Sequence, residues 1–233
     1  MKNKKVMQSI GLFSTFIGLL VMYWLVYVFD PELHRTYVQY EDRLVEWLTF
    51  FFFMLASMIT FWTIKYRDKT RKNLCYLILM GSFFFICAGE EISWGQRVFG
   101  IQTPLEITQI NEQNEINLHN ISYDYIHPYG LISTFILLYG IVLPLFLLKA
   151  HPDSTLRRYI SPPFLVPCFF FPMIIKKTDD FVTSLIVQSF GADTVGTYVD
   201  QTAELQEMYW GICLFLAARS IFIEHKRLNK NAS

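Results

Sequence analysis

Six apolar runs, each close to the length that crosses a lipid bilayer, constrain the fold of this chain more than any other feature. A spanning α-helix needs about 20 mostly apolar residues. The chain has 233 residues, and 53% of them are hydrophobic, which favours a membrane protein over a soluble domain. The sequence therefore predicts an all-α, polytopic transmembrane bundle of about six helices, forming a single domain over residues 1–233. The six runs are Met7–Phe29, Val45–Ile64, Leu74–Ile92, Tyr129–Leu148, Pro163–Ile175 and Glu207–Ile223. The fifth run is short and rich in proline, so the sequence leaves open whether it spans fully.

Basic residues cluster in four segments that lie between or beside these runs. Three lysines precede the first run, five basic residues lie in Lys65–Lys72, three lie in Lys149–Arg158 and three follow His225. If six helices span the membrane, these 14 of the 20 basic residues fall on one side of it. Short cytoplasmic loops are enriched in Lys and Arg. The sequence therefore predicts a multi-pass protein of the bacterial inner membrane with both termini in the cytoplasm.

Acidic residues are distributed the opposite way. Of the 20 acidic residues, 17 lie in the predicted outer segments or at their membrane ends. Many of them simply fill loops that basic residues avoid. Glu90 and Glu91 need another explanation, because they end a helix that has just crossed lipid. Ionisable side chains are costly there and usually face a polar interior.

Three outer segments each carry polar side chains at helical spacing, which places them on one face of a helix. The first follows the third apolar run, and the third begins the last run. The second is an interfacial helix predicted over Pro104–Asn120, with Thr103 as its N-cap. We expect the polar side chains of the three segments to meet in one pocket at the outer membrane surface, with the interfacial helix lying over the mouth of the bundle. The three sets of side chains are Glu90, Trp94 and Arg97; Glu112, Glu115 and His119; and Asp200, Glu204 and Glu207.

Clustered carboxylates beside a histidine suit acid–base chemistry and metal binding. One carboxyl group can hold a proton while its neighbour is ionised. An oxygen-rich set with one histidine fits Mg²⁺, Mn²⁺ or Ca²⁺, and an iron site is a further alternative. The predicted catalytic residues are Glu90, Glu91, Glu115 and His119. The predicted metal ligands are Glu91, Glu115, His119, Glu204 and Glu207. The predicted substrate-binding residues are Trp94, Gln96, Arg97, Asn117 and Asn120.

Each set also has a purely structural explanation. Glu90 or Glu91 can pair with Arg97, and His119 can satisfy backbone groups of its own loop. A tryptophan such as Trp94 is typical of an anchor at the membrane interface. The acids before the last run can be the solvated start of a helix, which the helix dipole favours.

The string GEEISWGQR followed by NEQNEINLHN resembles a run found in bacterial multi-pass membrane proteins of uncharacterised activity. A partial resemblance links Glu90, Glu91, Trp94 and Arg97 to the first motif of the CAAX-processing and bacteriocin-immunity intramembrane proteases. In that motif the arginine lies two positions earlier, and a later histidine of the family is matched by His119. The family's last His-x-x-x-Asn element has only His225 and Asn229 as counterparts, on the predicted cytoplasmic side.

Two classes of function remain open. The leading hypothesis is a membrane-embedded hydrolase or transferase that acts on a lipid or lipid-linked substrate from the outer side, with a divalent metal ion as cofactor. The alternative is a transporter, channel or assembly subunit whose carboxylates bind cations or a partner. The chain has no phosphate-binding loop or dinucleotide glycine pattern, and its net charge is zero, so we expect neither a nucleotide nor a nucleic acid as ligand. Membrane lipids are the expected surroundings, and the sequence does not fix an oligomeric state.

Overall fold

The computed structural model describes residues 2–39, 43–67, 70–111, 114–118, 121, 128–149, 156–175 and 201–232. Over these residues the regular elements are helices, in agreement with the predicted all-α class. An isolated β-bridge pairs Asn111 with Ile121. The main helices, in chain order, are α1 Lys2–Phe29, α2 Leu44–Thr63, α3 Arg71–Glu91, α4 Leu105–Thr108, α5 Gly130–Phe146, α6 Pro163–Ile175 and α7 Gln201–Ala232.

Short helical segments join or interrupt these helices. After α1 the chain makes one α-helical turn and a π-helical segment, and a second π-helical segment interrupts α5. A π-helical turn holds one residue more than an α-helical turn. The α and π segments are Pro31–Leu33, His34–Gln39 and Leu137–Val142. The 3₁₀ turns are Ile64–Tyr66, Ser93–Gly95, Leu147–Lys149, Leu156–Arg158 and Pro163–Leu165.

Three of the described helices are long and apolar enough to cross a bilayer. They are Met7–Val26 within α1, Leu44–Tyr66 and Arg71–Glu91, and they coincide with the first three predicted runs. Helices α5 and α6 are apolar but shorter. Helix α7 has 32 residues and carries charged residues near both ends. Three of the six predicted spans thus coincide with such helices, and the other three remain predictions.

The two faces of α2 indicate that this helix lies in lipid. Its buried face is rich in hydroxyl groups, and its exposed face is made of large apolar side chains, the reverse of a helix in water. Small polar residues commonly line helix contacts inside membranes. The buried hydroxyl residues are Thr49, Ser57, Thr60 and Thr63. The exposed residues include Phe51, Leu55, Met58, Phe61 and Trp62.

Helix α2 lies between α3 and α7 and packs along both. Ser57 of α2 donates a hydrogen bond to the carbonyl oxygen of Gly81 in α3 at 2.8 Å. A Cβ atom at Gly211 of α7 would lie 3.3 Å from Cβ of Phe52, so the glycine allows the two helices to approach closely. This approach lies one turn after Glu207. It therefore holds the Glu207 end of α7 beside α2.

The remaining helices pack on this central group through aromatic side chains. Tyr209 of α7 donates a hydrogen bond to the carbonyl oxygen of Phe16 in α1 at 2.8 Å, and the two ring centroids are 4.7 Å apart. In α5, Gly140 lies directly against Phe169 of α6. These contacts give the bundle a core that is mostly apolar and aromatic.

The predicted helix over Pro104–Asn120 is wrong in its extent. Helix α4 ends at Thr108, and residues 114–118 are irregular. The side chain of Asn111 explains the break, because its Oδ1 accepts a hydrogen bond from the backbone N–H of Glu115 at 3.0 Å. Asparagine side chains that bind nearby backbone groups compete with helix formation in this way. Thr103 is also not the N-cap, since that position belongs to Pro104.

Candidate functional site

Three carboxylates from two helices meet at one end of the bundle. Glu91 is the last residue of α3, and Glu204 and Glu207 lie one turn apart near the start of α7. One carboxylate oxygen from each residue lies within 4.8 Å of the other two. All three residues are partly buried. Glu91 is far from the other two in the sequence, so the tertiary fold brings the group together. We call these three residues the carboxylate cluster.

Further acidic groups surround the carboxylate cluster. Glu46, in the first turn of α2, and Glu90 both interact electrostatically with Glu91. Glu46 was not among the predicted site residues, although, like Glu90, it is an acid at one end of an apolar run. Ionised carboxylates at such distances repel one another. A bound cation or a shared proton relieves that repulsion.

The spacing of the carboxylate cluster fits one cation. Two oxygens bound to the same ion are at most about 5 Å apart for Ca²⁺, which binds at about 2.3–2.6 Å, and about 4 Å apart for Mg²⁺, which binds at about 2.0–2.1 Å. Separations within 4.8 Å meet the limit for Ca²⁺, and Mg²⁺ needs the oxygens to lie within about 4 Å. Among the described residues no histidine or cysteine joins the group. An all-oxygen donor set favours these hard ions over zinc or copper.

Glu115 belongs to a separate polar network. Its buried carboxylate accepts hydrogen bonds from Ser93 Oγ at 2.7 Å and from Asn117 Nδ2, both on Oε2. The guanidinium of Arg97 pairs with Oε1. Both oxygens of Glu115 are therefore engaged, and Glu115 is not part of the carboxylate cluster. This corrects the expectation that Glu115 and Glu91 occupy one centre.

Glu90 holds the segment that follows α3. Its Oε1 accepts a hydrogen bond from Trp94 Nε1 at 2.7 Å, and its Oε2 accepts one from the backbone N–H of Leu118. The expected helical face through Glu90, Trp94 and Arg97 is absent, because α3 ends at Glu91. Ser93 and Trp94 adopt φ values of +46° and +55°, which reverse the chain. Trp94 thus reaches Glu90 by a turn and not by helical spacing.

The amide side chains predicted to bind substrate also hold this segment together. Gln96 Nε2 donates to Thr103 Oγ1 at 2.6 Å, and Gln96 Oε1 accepts from the backbone N–H of Ile116 at 2.6 Å. Asn117 Oδ1 accepts from Asn111 Nδ2 at 2.9 Å. Sequence reasoning missed Asn111 and Ser93, which are both buried in the network. Neither stands in a spaced pattern, so only the folded chain reveals them.

Four of the predicted residues lie outside the described part of the chain. They include one predicted catalytic residue, which is also a predicted metal ligand, and one predicted substrate-binding amide. The four are Glu112, His119, Asn120 and Asp200.

No protein-family model matches this chain, and searches of curated proteins and of solved structures found no match either. Both resemblances stated from the sequence therefore remain predictions. The function must be argued from the geometry of the site.

Proposed function

We propose that this chain is a multi-pass protein of the bacterial inner membrane that binds one divalent metal ion through the carboxylate cluster. We further propose that it is a hydrolase or transferase for a lipid or lipid-linked substrate. The observation that carries the proposal is the meeting of carboxylate oxygens from α3 and α7 within 4.8 Å. Bound there, the ion would supply a Lewis acid for a phosphoryl or carbonyl oxygen.

The residues of the chain take distinct parts in this proposal. Glu91, Glu204 and Glu207 hold the ion at a partly buried position. Glu90 orders the neighbouring segment through its bonds to Trp94 and to the Leu118 backbone. Arg97 lies at the surface beside Glu115 and is suited to orient an anionic group. His119 remains a predicted catalytic residue and metal ligand.

The distribution of basic residues supports the orientation. With 14 of 20 basic residues on the side of the termini, the carboxylate cluster faces away from the cytoplasm. A reporter fused after the last residue tests this directly. Alkaline phosphatase activity of that fusion would contradict a cytoplasmic C-terminus.

The activity is tested with the full chain in proteoliposomes containing Mn²⁺ or Mg²⁺ and a panel of lipid-linked phosphates, phosphodiesters and carboxylic esters. Products are identified by mass spectrometry. We expect one substrate class to be converted, with the conversion lost in a chelator and restored by added metal. Glu207→Gln should reduce the rate to background because it removes a ligand. Glu106→Gln, an exposed carboxylate on α4, should keep the wild-type rate. Conversion that survives both chelation and Glu207→Gln would exclude the proposal.

The second candidate is a protein that binds cations for transport. The observation that favours it is the row of buried hydroxyl groups along α2, which leads from the level of Thr49 near the carboxylate cluster to Thr63 at the opposite end. Near that end a cavity of about 10 Å³, lined in part by Thr60, Tyr76 and Tyr139, has room for about one water. The hydroxyl groups of Thr49, Thr60 and Thr63 donate to carbonyl oxygens of their own helix, so only the lone pairs of their oxygens can face a cation or a water.

A flux assay separates the two candidates. The same proteoliposomes are loaded with a dye that reports Mn²⁺ or Ca²⁺ entry. Cation uptake that depends on Glu207, without any change of a lipid, would favour transport. Turnover of a lipid without cation uptake would favour the enzyme. The transport candidate also predicts a wet path past Arg219, and in the described part of the chain Arg219 lies exposed on the surface of α7.

A further inference from the structure

The segment that follows α3 buries some of its polar side chains and exposes several large apolar ones. Gln96 is 7% exposed and Asn111 is 4% exposed, whereas Arg97 and Glu106 are polar residues that lie exposed. A continuous exposed apolar surface marks contact with a membrane or with another protein. The exposed apolar residues, between 44% and 77% accessible, are Trp94, Val98, Phe99, Ile101, Leu105 and Ile110.

The start of this segment lies against the side of the spanning helix α3. The Trp94 ring lies directly over Gly89, where an added Cβ would come within 2.8 Å of it. The same ring meets Phe85 edge-on, with centroids 6.3 Å apart. Phe85 precedes the end of α3 by six residues, which corresponds to about 9 Å along a helix. The Trp94 side chain therefore lies back along the last two turns of α3.

The exposed apolar surface of α3 continues onto Trp94. Phe85 and Ile86 are each 47% exposed on a helix long and apolar enough to span a bilayer. Trp94 lies against Phe85 and is itself 45% exposed, and the more exposed Val98 and Phe99 follow within five residues. Lipid that covers this end of α3 therefore also meets Trp94. This continuity favours lipid over a protein partner.

The internal bonds of the segment fix its shape without using its apolar face. Ser93, Trp94 and Gly95 have φ values of +46°, +55° and +77°, which turn the chain sharply. Gln96 then bonds to Thr103 on one side and to the Ile116 backbone on the other. The apolar side chains are thus presented outward by a framework that is already satisfied.

We propose that residues 94–110 form a re-entrant loop whose apolar side chains contact acyl chains of the outer leaflet. Phe99 and Leu105, which are 76% and 77% exposed, lie in lipid. The polar framework of the loop then faces the protein. The inference does not depend on whether the carboxylate cluster binds a metal ion.

The test uses spin labels on the full chain in proteoliposomes. The exposed Cys75 is first replaced by Ser, and single cysteines are introduced as Phe99→Cys, Leu105→Cys and, as a matched polar control, Gln109→Cys. Collision rates of the nitroxide with oxygen, which concentrates in lipid, are compared with those of a water-soluble nickel chelate. We expect oxygen collisions to dominate at positions 99 and 105, and nickel collisions to dominate at position 109.

Two results would overturn the inference. Nickel collisions at positions 99 and 105 equal to those at 109 would place the loop in water. Immobilised labels with few collisions of either kind would place the loop against protein. Val98→Cys and Ile101→Cys serve as replacement sites if a labelled variant does not elute as a single folded species, because both residues are equally on the exposed face.

Discussion

Glu115 is the residue on which the polar network of the segment after α3 depends most. Its carboxylate joins Arg97, Ser93 and Asn117, and its side chain is 7% exposed. Glu115→Gln removes the charge that faces Arg97 and replaces one acceptor oxygen with a donor. Leaving buried groups without their partners costs about 1–3 kcal/mol. We expect a lower midpoint of thermal unfolding in detergent.

A thiol-reactive dye measures this midpoint, because Cys87, Cys168 and Cys213 are buried and become reactive on unfolding. Glu106→Gln is the control, since that carboxylate is exposed and its loss should leave the midpoint unchanged. Equal midpoints for Glu115→Gln and wild type would mean that the network does not stabilise the loop.

The sequence allowed the acidic site residues to be selected, but it did not show which residues they contact. Glu91, Glu204 and Glu207 could be selected, because acids beside long apolar runs are rare enough to need a reason. Their grouping into a cluster depends on how α3 and α7 pack, which local spacing does not encode. The roles of Ser93 and Asn111 depend on a chain reversal with positive φ at non-glycine residues. Such conformations are uncommon and leave no pattern in the sequence.

The contact between α5 and α6 leaves no space for a side chain at Gly140. A Cβ atom at Gly140 would lie 2.5 Å from Cγ of Phe169, a fully buried ring. Gly140→Ala should therefore separate the two helices and destabilise the fold by about 1–3 kcal/mol. Gly130→Ala, on the same helix, is the matched control, because no atom lies within 4 Å of the added Cβ there.

Thermal unfolding of both variants in detergent measures the difference. Gly130→Ala should leave the midpoint unchanged or raise it slightly, since alanine favours helix over glycine by about 1 kcal/mol. A Gly140→Ala variant as stable as Gly130→Ala would contradict the described packing of α5 on α6.

Long apolar runs made the three spanning-length helices predictable to within a few residues. The predicted run Val45–Ile64 corresponds to α2, Leu44–Thr63. The helix predicted over 104–120 failed because capping residues are a local signal, and the side-chain bond from Asn111 to the Glu115 backbone outweighs it. Helix α7 extends on both sides of its apolar run, since polar helical turns carry no hydropathy signal.

For the whole molecule, hydropathy indicates that apolar helices lie in lipid, but it does not indicate which helices pack together. The buried hydroxyl groups and exposed aromatic rings of α2 fit a helix whose outer face meets lipid. Which helices pack together depends on close approaches such as Gly211 against Phe52, and these could not be deduced from single runs. That packing brings Glu91 to Glu204 and Glu207, and the proposed function rests on it.

The proposed metal site is tested by measuring how Mn²⁺ binds to the purified full chain. Electron paramagnetic resonance of the free ion follows the binding. We predict one ion per chain, with affinity weakened at least about 10-fold in Glu91→Gln and in Glu207→Gln, by analogy with the loss caused by disturbing residues around metal ligands. Glu106→Gln should bind as the wild type does, and without metal every variant should unfold at or above the wild-type midpoint, because neutralising one carboxylate of the cluster lowers the repulsion within it. Folded Glu91→Gln and Glu207→Gln proteins that bind Mn²⁺ as tightly as the wild type would contradict the account.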